Sequence, residues 1–287
     1  MISSFRGIIM NKKIIFILAL FLATTLMISS VSAEGILDFI SSNDTDNSND
    51  DTKFIVGFNA AFPPFGYKDD NGSYIGFDLA LAEEVAKRNN WTFVAQPIID
   101  WNTKEVELNS GVVDCIWSEF TINGRESDYT WSDPYFNTSQ VFVVKNDSNI
   151  SSVSDLKGKN LEIQEGSSAL ETLNNNNKTL KATFGDLVEI KEYNTGFMDL
   201  ESGACDALIA DEGVAYYHIV ERFGNGNFKI LDEKLSHEQY GIGFKKGNIE
   251  LRDQVQKTLD EMFKDGTIDK IAQNYSDYKI PKGLIYP

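Results

Sequence analysis

The sequence predicts an α/β protein built from two lobes, and three features of the chain indicate this fold class. From residue 53 onward, short apolar segments alternate with segments whose apolar residues recur every three or four positions, which is typical of alternating strands and helices. A second series repeats four residues of the first at an offset of 92 positions, Leu108, Ser110, Gly111 and Asp114 recurring as Leu200, Ser202, Gly203 and Asp206. Two amphipathic helices follow, at 250–265 and 267–275, without another strand series. We expect this tail to return to the first lobe.

The first series supplies the elements of lobe 1. Residues 54–58, 91–97 and 114–118 have the length and apolar character of strands. A helix is predicted over 79–88, with Asp78 as its N-cap, and another closes over 106–110.

The second series supplies lobe 2, and two further strands connect the lobes. Strands are predicted at 160–164, 187–193 and 207–210, and helices from Ser168, over 196–202 and over 212–222. If the tail returns to lobe 1, the chain crosses between the lobes twice, and strands 140–144 and 239–244 are the predicted hinge strands. Each lobe is then a mixed sheet flanked by helices. The predicted division is lobe 1 at 53–138 and 242–287, and lobe 2 with the hinge strands at 139–241.

The N-terminal segment predicts export. Lys12 and Lys13 precede an apolar run at 14–28 and small residues up to Ala33, which is the pattern of a signal peptide over residues 1–33. Retention of this segment as an uncleaved membrane anchor is the alternative. Residues 34–52 are rich in Ser, Asn, Asp and Thr and predict an extended polar tether. The protein is expected on the extracellular or periplasmic face of the cytoplasmic membrane.

Composition and charge exclude several classes of protein. The chain has 287 residues, 42% of them hydrophobic, which is enough for a folded core and argues against global disorder. Its formal net charge of -17 disfavours binding to nucleic acid or to an anionic membrane surface. The two cysteines, Cys115 and Cys205, fall on different predicted lobes, so no disulfide is expected between them.

Signatures of catalysis are sparse in this sequence. It has no Gly-X-Ser-X-Gly elbow, no Walker loop and no His-Glu-X-X-His motif. Its two histidines, His218 and His237, both fall in lobe 2, and His218 lies in a predicted helix. We therefore predict no catalytic residues, no cofactor and no metal site.

Aromatic and polar residues instead gather after the predicted strand ends, where α/β proteins bind ligands. They are Phe62, Trp101, Ser118, Glu119, Phe120, Thr121 and Arg125 in lobe 1, and Ser167, Ser168 and Asp211 in lobe 2. A guanidinium matches a carboxylate, a helix start offers free N–H groups to an anion, and Asp211 is placed to accept from an ammonium. Taken singly, each residue could instead be a core ring, a surface ion pair or a helix N-cap. Their shared position after strand ends predicts a site for an amino acid.

The sequence resembles the solute-binding proteins of polar amino-acid ABC transporters, the family that includes the lysine/arginine/ornithine-, histidine- and glutamine-binding proteins. The resemblance covers about residues 53 to 280 and rests on motifs in the family's order. These include Phe-Pro-Pro-Phe-Gly-Tyr at 62–67, Gly-Phe-Asp-Leu-Ala at 76–80, Thr-Ile-Asn-Gly-Arg at 121–125, Trp-Ser-Asp-Pro-Tyr at 131–135 and Asp-Ala-Leu-Ile-Ala-Asp at 206–211. The resemblance implies the type II periplasmic-binding-protein fold and a monomeric protein. It also implies that the protein captures an L-amino acid between its lobes and delivers it to a membrane permease and its ATPase.

The resemblance also implies roles for individual residues. In the family, rings at the positions of Phe62 and Trp101 enclose the ligand side chain. The positions of Thr121, Arg125 and Ser168 bind the α-carboxylate, and those of Asp211 and the Ser118 main chain bind the α-ammonium. The positions of Asn59 and Glu119 touch the side chain of the ligand or its edge and are where specificity is set.

Two departures from the family pattern concern the carboxylate site. Thr121 and Arg125 are four residues apart where the family usually has five, so this loop is one residue shorter. Glu119 stands where the family more often has a small residue. Its carboxylate could pair with Arg125, which would weaken the carboxylate site, or with a polar or cationic ligand. The second pairing favours polar or cationic ligands over acidic ones.

Two other functions stay open for this fold. One is a cyclohexadienyl (arogenate or prephenate) dehydratase, for which Glu119 would supply a carboxylic acid in the cleft. The other is a sensory module that binds an amino acid and acts through a separate partner.

Overall fold

The computed structural model describes residues 52–224 and 226–287. The predicted signal peptide, residues 1–33, and residues 34–51 of the predicted tether lie outside the described residues. No helix in the described part of the chain is long and apolar enough to cross a membrane.

Lobe 1 begins with short strands and two helices. The strands are β1 Lys53–Phe58, β2 Ala61–Phe62, β3 Gly66–Lys68, β4 Tyr74–Ile75, β5 Thr92–Pro97, β6 Cys115–Ile116 and β7 Thr130–Trp131. The helices are α1 Phe77–Arg88 and α2 Lys104–Ser110, with a 3-10 turn at Trp101–Thr103 before α2. The predicted strand 114–118 is confined to the two residues of β6, although the Trp117 N–H still donates to the carbonyl of Gly57 in β1.

Lobe 2 contains the second series in the predicted order. Its strands are β8 Phe136–Lys145, β9 Asn160–Gln164, β10 Asp186–Ile190, β11 Ala207–Asp211 and β12 Phe228–Tyr240. Its helices are α3 Ser168–Asn175, α4 Lys178–Lys181, α5 Tyr193–Ser202 and α6 Glu212–Tyr217, and a π-helical turn, His218–Arg222, continues α6. A 3-10 turn at Val153–Leu156 precedes β9.

The tail of the chain packs on lobe 1. It contains β13 Gly243–Phe244, α7 Ile249–Lys264, α8 Thr267–Gln273, a 3-10 turn at Ser276–Tyr278 and α9 Ile280–Gly283. Strand β13 enters the first sheet between β6 and β7, and Arg88 of α1 donates to Asp265 at the end of α7 at 2.8 Å.

The two large sheets are mixed and share one layout. In the first, the order is β5-β1-β6-β13-β7, with β5, β1 and β6 parallel and β13 antiparallel to its neighbours. In the second, the order is β10-β9-β11-β8-β12, with β10, β9 and β11 parallel and β8 antiparallel to both β11 and β12. In each sheet the antiparallel strand next to the parallel ones, β13 in the first and β8 in the second, enters the sheet after the chain has crossed between the lobes. The predicted fold class, a two-lobed α/β protein with mixed sheets, is confirmed.

The hinge differs in one detail from the prediction. Strand β8 continues from the crossing deep into the second sheet, but the predicted strand 239–244 is two strands, β12 and β13, separated by Gly241 and Ile242. The ladder breaks because the Gly241 N–H turns to the carbonyl of Phe120 and the Ile242 N–H to the hydroxyl of Ser132. The crossing is therefore fastened to the loops of lobe 1 where β12 ends.

The start of α1 also differs from the prediction. Gly76, with φ of 145°, is the N-cap, and Asp78 lies inside the first turn. Asp78 is fully buried, and its carboxylate accepts hydrogen bonds from the Glu119 N–H and the Tyr135 hydroxyl. Because these tertiary donors satisfy both oxygens, the side chain does not cap its own helix.

Both cysteines are buried and free, Cys115 in the first sheet and Cys205 before β11 of the second. The two thiols thus lie in different sheets.

Candidate functional site

A cavity lies between the two sheets at the carboxyl ends of their parallel strands. Its lining consists of Asn59, Phe62, Trp101, Glu119, Phe120, Thr121 and Arg125 from lobe 1, and Gln140, Gln164, Gly166, Ser167, Ser168, Tyr193 and Tyr240 from lobe 2 and the hinge strands. Every predicted site residue except Ser118 and Asp211 is in this lining. The structure thus brings together, across the lobes, residues that the sequence placed after separate strand ends.

Aromatic rings form two sides of the cavity. Phe62 follows β1 in the small hairpin of β2 and β3, and its ring meets Tyr193 of lobe 2 edge-to-face, with centroids 5.3 Å apart. Trp101 meets Phe120 in the same manner at 5.9 Å. Edge-to-face packing is a favoured geometry for aromatic pairs, and the rings offer apolar surface suited to a flat or aliphatic side chain.

Arg125 joins the lobes across the cavity. Its Nη2 donates to Glu171 Oε1 at 2.9 Å and to the carbonyl of Gly166 at 3.4 Å, both in lobe 2. Its guanidinium lies 5.4 Å from the ring centre of Phe120, and the side chain is buried. The Arg125 carbonyl accepts from Trp131 Nε1, which fixes the backbone of this short loop.

Glu119 does not pair with Arg125, so the first of its two predicted pairings is not formed. Its Oε2 accepts from the Ser118 hydroxyl at 2.7 Å, and its backbone, with φ of 43°, donates to Asp78. Burial is the main cause that raises the pKa of Glu119 well above its usual value, and the nearby carboxyls of Asp78 and Asp211 add to it. A buried acid without a cation therefore faces the cavity.

Ser118 lies behind the cavity wall and holds the wall in place. Its hydroxyl accepts from the Asn59 N–H at 2.9 Å while it donates to Glu119. This pair of bonds ties the loop after β1 to the loop after β6.

Asp211 also lies behind the wall, where it caps a helix. One carboxylate oxygen accepts from the Gly213 N–H at the start of α6, and the other accepts from the hydroxyls of Thr138 and Tyr240. The side chain is fully buried, which raises its pKa to about 6. Tyr240 separates Asp211 from the cavity, and the predicted contact between Asp211 and an ammonium stays a prediction.

Glu238, on hinge strand β12, was missed by the sequence reasoning. Its Oε2 accepts from Thr121 and Ser168, each at 2.8 Å, and from Gln140 Nε2 at 3.2 Å, while Oε1 accepts from Ser236. The hydroxyls of Thr121 and Ser168 are those that the family resemblance assigns to a ligand carboxylate. In this structure both hydroxyls instead donate to a carboxylate of the chain itself, that of Glu238.

Glu238 is not itself in the cavity lining, but four lining residues were also missed, namely Gln140, Gln164, Tyr193 and Tyr240. Gln140 and Glu238 could have been identified from the sequence, because each is a polar residue within or next to a predicted hinge strand. Tyr193 gives no such signal, since a Tyr at the start of an amphipathic helix is ordinary core. Among the described residues, no group of three or more His, Cys, Asp or Glu side chains has the arrangement of a metal site.

A known protein family matches this chain over most of its length. The family model described as bacterial extracellular solute-binding proteins, family 3, matches residues 54–278. The chain belongs to this family. Family 3 proteins are binding proteins that act outside the cytoplasm, and the cleft between two lobes described above is the part of this chain that can enclose a solute.

Individual family 3 proteins are similar over most of their length. The L-cystine-binding protein TcyJ of Escherichia coli (strain K12) is 26% identical over 272 residues, which is 93% of this chain and 95% of that protein. A substrate-binding protein of an ABC uptake transporter from Streptococcus pneumoniae, solved with bound histidine, is 29% identical with a TM-score of 0.74, covering 78% of this chain and 92% of the other. An ancestral arginine-binding protein bound to arginine is 37% identical with a TM-score of 0.71, covering 78% and 97%.

Proposed function

We propose that this family 3 protein is the substrate-binding component of an ABC transporter and that it binds a polar L-amino acid in the cavity between its lobes. The observation that carries the proposal is the composition of the cavity. One buried guanidinium, two aromatic pairs and several carboxylate, amide and hydroxyl groups converge there from both lobes. The names and titles of relatives state cystine, histidine, arginine or glutamine as the bound ligand, which supports an amino acid.

Arg125 receives the α-carboxylate of the ligand in this proposal. The guanidinium offers a planar fork for a carboxylate, and Phe120 supports one of its faces. Its present partner, Glu171, has a side chain that is 46% exposed and can turn to solvent at small cost. The ligand carboxylate then takes the place of Glu171.

Capture couples to closure of the lobes. The ligand contacts lobe 1 through Arg125 and Glu119 and lobe 2 through Ser168 and Tyr193, so it binds the closed state more tightly than the open one. A ligand shifts a conformational equilibrium only by such a difference in affinity. The closed protein then delivers the ligand to a membrane permease with its ATPase, and it acts as an exported monomer that does not bind nucleic acid.

We infer a binding role for the cavity, with no catalysis. His218 and His237 are not among the residues of the cavity lining, so Glu119 is the proton donor that an enzyme on this fold could use. The dehydratase alternative is tested by incubating the protein with its two candidate substrates, prephenate and arogenate, and assaying for phenylpyruvate and phenylalanine. Formation of either product at a rate that falls in Glu119→Gln would establish the dehydratase instead.

Calorimetric titration with the L-amino acids and L-cystine tests the binding proposal directly. We expect at least one of them to bind the wild-type protein and Arg125→Ala to weaken that binding about 100-fold or more, since the change leaves a buried carboxylate unpaired. Arg252→Ala is the matched control, because Arg252 donates to the Trp131 carbonyl and to Asp253 outside the cavity. Unchanged affinity in Arg125→Ala with an intact fold would contradict the assignment of Arg125, and absence of binding by every amino acid would contradict the function.

A further inference from the structure

Gln140 presents an unused hydrogen-bond acceptor to the cavity. It lies on hinge strand β8, opposite Asp211 of β11 and Ser236 of β12, and only 3% of the residue is exposed. Its Nε2 donates to Glu238 Oε2 at 3.2 Å, whereas its Oε1 is buried and has no hydrogen-bond partner. The amide cannot be turned around, because Oε1 would then face the carboxylate of Glu238. A buried acceptor without a donor is unfavourable, and the cavity is where a donor can reach it.

Glu238 carries a buried negative charge that no cation of the described chain offsets. The residue is 4% exposed, and none of the ion pairs among the described side chains includes it. Its donors are the three hydroxyls of Thr121, Ser168 and Ser236 and the amide of Gln140. Neutral dipoles hold the carboxylate in place but leave its charge uncompensated, and buried carboxylates are normally paired.

Carboxyl groups outnumber cationic groups around the cavity. Glu119 lines the cavity, and Asp78 and Asp211 lie behind its wall. Arg125 is the cationic side chain in the described lining, and Glu171 already pairs with it. A neutral or acidic ligand would leave this excess of carboxyl groups as it is, whereas a cation would offset it.

We propose that Gln140 and Glu238 are recognition residues for a positively charged group of the ligand, which donates to Gln140 Oε1 and offsets the charge of Glu238. This inference rests on the proposed function and names the class of ligand. The cationic group is an ammonium or a guanidinium, and it belongs either to the side chain of the amino acid or to its α-ammonium. Both residues lie on the hinge strands, so the cation binds where the lobes join.

Isosteric ligands and variants separate these sources. L-Arginine and L-citrulline differ in the side-chain charge, and L-arginine and argininic acid differ in the α-ammonium. Glu238→Gln removes the charge and keeps the size, and Gln140→Leu removes the acceptor. Glu162→Gln is the matched control, because Glu162 is a buried Glu of lobe 2 on β9 that, unlike Glu238, is not the acceptor of the lining side chains Thr121, Gln140 and Ser168. Circular dichroism and thermal unfolding of the ligand-free variants show that each is folded.

Calorimetry with wild type and variants gives the outcome. If the side chain carries the cation, wild type prefers L-arginine to L-citrulline by about tenfold or more, and Glu238→Gln reduces this ratio severalfold. If the α-ammonium carries it, the preference is for L-arginine over argininic acid, with the same loss in Glu238→Gln. Gln140→Leu weakens L-arginine at least severalfold in either case, and Glu162→Gln changes nothing.

The inference is overturned if folded Glu238→Gln and Gln140→Leu bind every ligand of the wild-type panel with wild-type affinity, or if wild type prefers L-glutamate to L-arginine. Both outcomes leave the proposed function standing, because an amino acid still binds. Absence of binding by wild type to the amino acids and L-cystine is the different result that overturns the function, and this inference falls with it.

Discussion

Buried carboxyl groups are the residue-scale feature that distinguishes this protein. Asp78 is fully buried, and desolvation raises its pKa from 3.8 to about 7 against the lowering effect of its hydrogen bonds from Glu119 and Tyr135. The pKa of Asp211 is raised to about 6 and that of Glu119 well above 4.5, also chiefly by burial. In the folded protein these groups hold protons that the unfolded chain releases at lower pH.

A pH dependence of stability follows from these shifts. Because the folded state binds more protons between about pH 4 and pH 7, the free energy of unfolding decreases as the pH rises through this range. Each unit of pKa difference corresponds to about 1.4 kcal/mol, so we expect the Tm of the ligand-free protein to be several degrees lower at pH 8 than at pH 5. Asp78→Asn, which can still accept from the Glu119 N–H, should flatten this slope, and the exposed Asp70→Asn should not. A Tm that rises between pH 5 and pH 8 would contradict the prediction.

At the scale of the elements, the start of α1 depends on one glycine. Gly76 has φ of 145°, and the chain before it passes so close that a Cβ would lie 2.0 Å from the Phe65 carbonyl oxygen. The same carbonyl accepts the Asp78 N–H, so it cannot move away without loss of that bond. The glycine thus allows α1 to begin against the hairpin that carries Phe62 and directs Asp78 beneath Glu119.

Gly76→Ala should therefore destabilise the protein strongly. We expect a loss of at least about 3 kcal/mol in the free energy of unfolding, because backbone strain and a clash with backbone atoms add. Gly111→Ala provides the matched comparison, since Gly111 has φ of 81° at the end of α2 with open space around it. Its loss should be about 1–2 kcal/mol, from backbone strain alone. Urea unfolding measures both values, and equal losses would show that the contact with Phe65 is unimportant.

At the scale of the whole molecule, contacts between the lobes hold the cleft closed around the cavity. Arg125 pairs with Glu171 at 2.9 Å, and Glu238 on the hinge strand bonds to Thr121 of lobe 1 and Ser168 of lobe 2. Phe62 adds an aromatic contact with Tyr193. Arg125, Glu238, Ser168 and Tyr193 are also proposed to bind the ligand. In the ligand-free protein these groups contact other side chains of the protein instead.

Removal of one such contact should open the ligand-free protein. Glu171→Gln takes the negative charge from the Arg125 pair. Because the Glu171 side chain is exposed, the pair contributes up to about 1 kcal/mol, so the ratio of closed to open molecules should fall up to about fivefold. Single-molecule fluorescence transfer between dyes on cysteines introduced at Asp70 and Lys178 measures the populations. Glu84→Gln, which breaks a pair within lobe 1, is the control. A closed population that is the same in both variants would exclude a role for Glu171 in closure.

The sequence by itself determined the elements and the place of the site. Strands and helices follow from the local period of apolar residues, and strand ends in an α/β fold meet at one edge, which is why Phe62, Trp101, Arg125 and Ser168 could be expected together. The tertiary structure alone decided which side chains face the cavity. Asp211 and Gln140 are paired across β11 and β8, yet Asp211 is sealed behind Tyr240 while Gln140 lines the cavity. Such choices depend on packing between residues far apart in the chain, as with Thr121 and Glu238, and no local pattern encodes them.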